Sequence, residues 1–145
     1  MRKIGILASL ACPLAFVFGC GGGSSMPVVT ITPWQPRIAP NPLVLSVKVS
    51  NKGSYTFLDS SGPTTSKLMV TGRDGSNQII GTTIEQNIAV SGWGDGGQSI
   101  TLSKAQSDVC ESANTKTVIF EVVILCQKGA HAPTKITDQE ILTKP

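Results

Sequence analysis

Histidine and tyrosine occur once each in this chain of 145 residues, tryptophan twice, and charged side chains make up only 14% of it. With His131 alone, acid–base catalysis and metal ligation lack the partners they need, because both are built from several groups held at defined spacing. Cys126, five residues earlier, is the one soft ligand nearby, so Gly129-Ala130-His131-Ala132-Pro133 reads as a loop that happens to carry a histidine. Neither a catalytic constellation nor a nucleotide motif is visible, and no cofactor is expected. Basic clusters are missing too: after the first three residues Lys and Arg are scattered singly from Arg37 to Lys144. Phosphate-backbone binding needs a basic stripe, so nucleic acid is not an expected partner. Nor is there a membrane-spanning run. Crossing the hydrocarbon core takes about 20 apolar residues, and the apolar segment Ile4 to Gly19 is shorter and carries Pro13.

What is present at the start is Arg2 and Lys3 ahead of that segment, the layout of an export signal. Val17-Phe18-Gly19-Cys20 closes it and resembles a bacterial lipoprotein signal, in which an aliphatic residue stands three before the cysteine and a small one directly before it. Val17 and Gly19 match; Phe18 departs from the usual small residue. The resemblance implies cleavage after Gly19, a diacylglycerol on the Cys20 thiol and a further acyl chain on its new amino terminus. Two chains are what stable anchoring requires. An ordinary cleaved signal is the alternative, but no small-x-small pair precedes a plausible cut. Gly21, where some lipoproteins carry Asp, implies sorting to the outer membrane, and so a localisation in the cell envelope. Loss of residues 1–19 lowers the formal charge from +3 to +1.

Beyond Cys20, Gly21-Gly22-Gly23-Ser24-Ser25 is expected to be a flexible tether, and the four prolines of Pro33 to Pro42 forbid helix and favour extended chain. The expected organisation is a signal peptide over 1–19, a lipidated cysteine and tether over 20–42, and one domain over 43–145. Thr, Ser, Val and Ile abound there, with glycine at the breaks, which suits strands. Leu43, Leu45, Val47 and Val49 alternate with Val44, Ser46, Lys48 and Ser50, giving a strand with one core face. Asn51-Lys52-Gly53 then predicts a hairpin to Ser54–Leu58, with Gly53 available for a left-handed position. Asp74-Gly75 predicts a type I′ hairpin between Lys67–Arg73 and Ser76–Ile84. Asp74-Gly75-Ser76-Asn77 lacks the alternating acids and acidic closing ligand of a calcium loop, and turn chemistry accounts for it.

Gly92-Trp93-Gly94-Asp95-Gly96-Gly97 is expected to be a loop, followed by alternation at Ile100 and Leu102. Ser103 with Gln106 is a capping-box pattern that permits a short helix from Lys104 to Ser112. Thr117 to Cys126 is apolar on both faces apart from Glu121, which places it at the centre of a sheet and Glu121 near an edge or paired. Lys135 to Leu142 is a last strand, expected at an edge. Seven or eight short strands with regular turns predict an all-β sandwich.

One stretch adds detail to that class. Val47-Lys48-Val49-Ser50-Asn51-Lys52-Gly53 is similar to the apolar-x-apolar-x-Asn-x-Gly element of immunoglobulin-like, cell-adhesion-related domains of bacterial surface proteins, which implies an immunoglobulin-like β-sandwich.

Cys12 leaves with the signal, so Cys110 and Cys126 remain as an even pair in an oxidising compartment, where a disulfide is expected. Two free or intermolecularly paired thiols are the alternative, because a helix running through Ser112 and a bridge exclude one another: helix advances only about 1.5 Å per residue. Trp93, framed by glycines, and Tyr55 are the candidate recognition residues, since exposed aromatic rings stack on sugars or partners. Trp93 folding back over the end of the sandwich is the competing reading. Taken together, the sequence predicts a non-catalytic envelope lipoprotein, held to the membrane by its lipid, that contacts another envelope protein. A glycan- or peptidoglycan-binding module is the alternative.

Overall fold

The computed structural model describes residues 25–32 and 43–144. The expected signal segment with Cys20, most of the expected Gly/Ser tether and the proline-rich stretch with Trp34 lie outside the described residues. Within them the chain forms β1 (Val28–Ile31), β2 (Val44–Ser50), β3 (Thr56–Leu58), β4 (Ser60–Ser61), β5 (Thr64–Thr65), β6 (Lys67–Arg73), β7 (Ile84–Asn87), β8 (Gly96–Thr101), α1 (Lys104–Glu111), β9 (Thr117–Gln127) and β10 (Thr134–Thr143). One sheet has the order β1-β2-β8; the other runs β10-β9-β6-β7, with β3 also on β9, and every pairing is antiparallel. The fold is all-β, two sheets packed as a sandwich.

The alternating pattern of β2 decides which face turns inward: Leu45, Val47 and Val49 are buried while Val44, Ser46 and Lys48 are exposed. From the opposite sheet Phe57, Leu68, Val70, Val118, Phe120, Val122 and Ile124 close the core. Each fully buried side chain of this size contributes roughly 1.5–3 kcal/mol. β9 is flanked on both sides, as its two apolar faces predicted, and β10 forms the sheet edge. Glu121 is half-buried on the outward face, between Met69 and Gln139, where water reaches it.

Several expectations need correction. Residues 28–31 belong to the sandwich and not to the tether: Val29 and Ile31 are buried at 3% and 1% exposure, and β1 pairs with β2 from Val28↔Ser50 to Ile31↔Val47. The four residues of β1, within the short run between Pro27 and Pro33, give too little alternation to stand out, yet they cover the flank of β2 that would otherwise be an open edge. β2 and β3 are not a hairpin, since β2 pairs with β1 and β8 while β3 pairs with β9. The turn between them carries the chain from one sheet to the other, which alternation along a single strand cannot reveal.

That turn is held by Asn51, whose Oδ1 accepts from Tyr55 N at 3.1 Å and whose Nδ2 donates to Tyr55 O at 2.8 Å. The left-handed residue is Ser54, φ 57°, and not Gly53. Gly53 is required for closeness: a Cβ there would stand 2.4 Å from the Ser25 carbonyl oxygen. At Asp74-Gly75 the left-handed residue is Asn77, φ 64°, with Asn77 N donating to Asp74 O and Asp74 N to Gln78 O. This is a type I turn with a following bulge, instead of type I′, and regular pairing resumes only at Val70↔Ile84. Gly96 and Gly97, expected in a loop, start β8 opposite Val49 and Lys48; Gly96 holds φ 118°, which a side chain would resist.

β3 and β6 lie on the same side of β9 as one interrupted strand, opposite Leu125–Gln127 and Thr117–Val123 respectively. Residues between them leave as the β4–β5 hairpin, which would orphan ladder groups. Buried Ser66 repairs the gap: its Oγ accepts from Leu125 N at 2.9 Å and donates to Leu58 O at 2.6 Å. Side chains also join the two sheets at both flanks. Asp138 Oδ2 accepts from Ile31 N at 2.6 Å, linking β10 to β1, and Gln86 Nε2 donates to Thr101 O at 3.0 Å, linking β7 to β8.

The capping box is formed, with Ser103 as N-cap and Gln106 reaching back to it. Gln106, fully buried, also donates to Leu68 O and Ile84 O, both at 3.1 Å, and so seats α1 on β6 and β7. The helix continues through Glu111, which settles the cysteine question. Cys110 and Cys126 are separate buried thiols, and the expected disulfide is absent. Cys110 sits on α1 near the Thr117 end of β9, whereas Cys126 pairs with Phe57 and Thr134 at the other end. Nine steps of strand, roughly 30 Å, separate the two ends.

Candidate functional site

One end of the sandwich gathers the loops that the sequence singled out. β1 enters there opposite Ser50, the 51–55 turn crosses there, β8 begins there opposite Val49, and β10 begins there opposite Cys126. Asn51 N donates to Asp95 Oδ1 at 2.8 Å, tying the crossing turn to the glycine-rich loop. Tyr55, half-buried, packs on the margin of the core and lines a cavity of about 310 Å³ with Met26, Lys128, His131, Ala132 and Thr134. His131 is exposed in the β9–β10 loop, its N–H donating to Lys128 O at 3.1 Å.

Trp93, in that glycine-rich loop, lines a different cavity. It is half-buried against the core and lines a groove of about 220 Å³ along the seam between β7 and β8, with Gln86, Asn87, Ile88, Ala89, Ser99, Ile100 and Thr101. The indole therefore stands in a wall of amides and hydroxyls, partly folded back over the sandwich. Tyr55 and Trp93 line separate cavities, so the structure does not merge the two candidates into one site.

Asp59 fixes the Trp93 loop, a role with no sequence signature. Its Oδ1 accepts from Val90 N at 2.6 Å and Ser91 N at 2.8 Å, its Oδ2 accepts from Ser91 Oγ at 3.2 Å, and Trp93 N then donates to Val90 O. The backbone donors of Val90 and then Ser91 hold the Asp59 carboxyl below its ordinary value, because they favour the charged form. Burial pushes the Cys110 thiol up to about 12, so this cysteine is neutral and unreactive in the native state. Among the described residues no group of three His, Cys, Asp or Glu side chains is placed to hold a metal ion.

A third surface also escaped the sequence reading. On the outward face of β9, Leu125 is buried and lines a cavity with Ser61 and Thr64 of the β4–β5 hairpin and with Pro133 and Lys135, but farther along the strand Ile119 is only half-buried. Ile141 of β10, directly opposite Ile119, is 58% exposed, and Met69 of β6 lies one row away beside Glu121. The Lys67–Glu85 ion pair and the Thr71–Thr83 hydroxyl pair rim this strip. The alternation of β9 could not tell a covered outer face from an open one.

Comparison of the chain with protein-family models, with curated proteins and with solved structures finds no match in any of the three.

Proposed function

We propose that this chain is a lipid-anchored, non-catalytic module of the bacterial cell envelope that contacts another envelope protein, anchored through Cys20 and carried in the outer membrane. The observation that supports the contact role is the outward strip of Ile119, Ile141 and Met69, apolar side chains left open on a sheet face beside Glu121 and within reach of water, since apolar surface of this kind marks contact sites. We read the sandwich as immunoglobulin-like, supported by the Asn51-x-Gly53 turn that crosses between sheets. Such a scaffold holds its faces rigid while its loops vary.

Metabolic labelling with a fatty-acid analogue tests the anchor. Wild type incorporates the label and Cys20→Ala stays an unlabelled precursor; equal labelling of both overturns the lipoprotein reading. Ile141→Arg tests the contact: it is expected to abolish co-purification of the partner captured by the intact lipoprotein while leaving folding unchanged. A second reading, glycan binding, draws on the polar groove in which Trp93 stands. Retention of the protein on peptidoglycan, lost in Trp93→Ala and kept in Ile141→Arg, selects it over the first.

A further inference from the structure

We infer that the loop end of the sandwich, carrying Lys52, Tyr55, Lys128 and His131, rests against the lipid surface that holds the anchor, and that partners meet the outer strip and the opposite end. This rests on the lipoprotein reading of Cys20 and extends it to an orientation.

The argument is one of length. The described chain starts at Ser25, whose carbonyl packs on Gly53 at the loop end. From Cys20 to Ser25 there are five residues, spanning at most roughly 18 Å even when fully extended. Because β1 belongs to the sandwich, no longer tether exists beyond that point. β9 alone runs roughly 33 Å from the loop end to Thr117. With the opposite end on the bilayer, Ser25 would stand roughly that far from the surface for an upright strand, nearly twice the reach of five residues. The inverted orientation is therefore excluded by chain length.

Chemistry selects the upright orientation over a sideways one. Lys52 is exposed at the loop end, with Lys128 and the half-buried Tyr55 close by, while the acids on these loops are engaged, Asp95 accepting from Asn51 N and Asp59 from Val90 N and Ser91 N. Lysine near the surface is attracted to anionic headgroups, and tyrosine suits the interface. Exposed Met26 leads the chain into the same cavity. The turn at Asp74–Asn77 and α1 then point away from the membrane.

The test places a fluorophore on an introduced cysteine in the lipidated full-length protein, reconstituted into phosphatidylethanolamine–phosphatidylglycerol vesicles containing an acceptor lipid. Cys110 and Cys126 are buried and stay unlabelled. Ala130→Cys marks the loop end and Ser76→Cys the opposite end; Lys52→Cys and Ala113→Cys repeat the measurement should either fail to fold. Given the difference in height, transfer to the acceptor is expected to be at least about threefold stronger from the loop end. Wild type that fails to float with vesicles overturns the lipoprotein reading and the orientation with it. Protein that floats but shows equal transfer from both ends, or stronger transfer from Ser76→Cys, overturns the orientation alone.

Discussion

Ser66→Ala removes one oxygen atom and should weaken the fold well beyond what its size suggests. Its hydroxyl is fully buried where β3 gives way to β6, bonded at 2.9 Å to Leu125 N and at 2.6 Å to Leu58 O. Alanine fits the space and removes a polar atom, which by itself is mildly favourable. It also strands a buried backbone donor and weakens the partnering of a carbonyl, and leaving such a donor unsatisfied costs about 1–3 kcal/mol. A net loss of about 2 kcal/mol is expected, a sizeable share of the roughly 5–15 kcal/mol by which such domains are stable. Urea unfolding should show a lower midpoint with an unchanged slope. Ser46→Ala, on the exposed face of β2, is the control and should stay within about 0.5 kcal/mol of wild type. Hydrogen exchange gives an independent readout, since the Leu125 amide should exchange faster in Ser66→Ala while its core neighbours keep their order of protection. If Ser66→Ala matches Ser46→Ala in stability and Leu125 stays protected, the repair of the ladder by Ser66 is wrong.

A fragment beginning at Leu43 lacks β1, and losing buried Val29 and Ile31 should remove about 3–6 kcal/mol relative to a fragment beginning at Ser25; equal melting temperatures for the two would place β1 outside the cooperative unit. Thiol reagents at pH 8 should modify neither Cys110 nor Cys126 until denaturant is added, since with a value near 12 only about one Cys110 in ten thousand is thiolate there. Rapid native labelling would show that the end of α1 opens easily. Asp59 has a depressed folded-state value, so its contribution is complete above the ordinary carboxylate value of 3.8 and is lost as pH falls through the lower, folded one. In a Trp34→Phe background, Trp93 emission should therefore keep its position down to that range and shift to the red below it, while Asp59→Asn should be red-shifted already at neutral pH. An unshifted Asp59→Asn spectrum would mean that the loop is held by other contacts.

Wherever neighbours along the chain carry the information, the sequence determined the outcome. Alternation in β2 chose its buried face, the doubly apolar β9 announced a central strand, and Ser103 with Gln106 announced the start of α1, because each depends on periodicity or on contacts within a few residues. Tertiary structure decided what depends on distant partners. Four residues of β1 are too few to read, and their burial follows only once β2 offers a flank. Gly53 turned out to serve the approach of Ser25, and the left-handed turns fell to Ser54 and Asn77, since turn geometry depends on what the turn connects. Cys110 and Cys126, an even pair on paper, stand at opposite ends of a strand because α1 holds Cys110 and the chain then turns at Ser112–Thr115, where a bridge would have needed it extended. The outer face of β9 is apolar in sequence whether or not anything covers it, and only the packed chain shows that Leu125 is buried there and Ile119 left open. Pattern is a property of the chain; pairing and exposure belong to the whole molecule, where distant segments compete for the same surfaces.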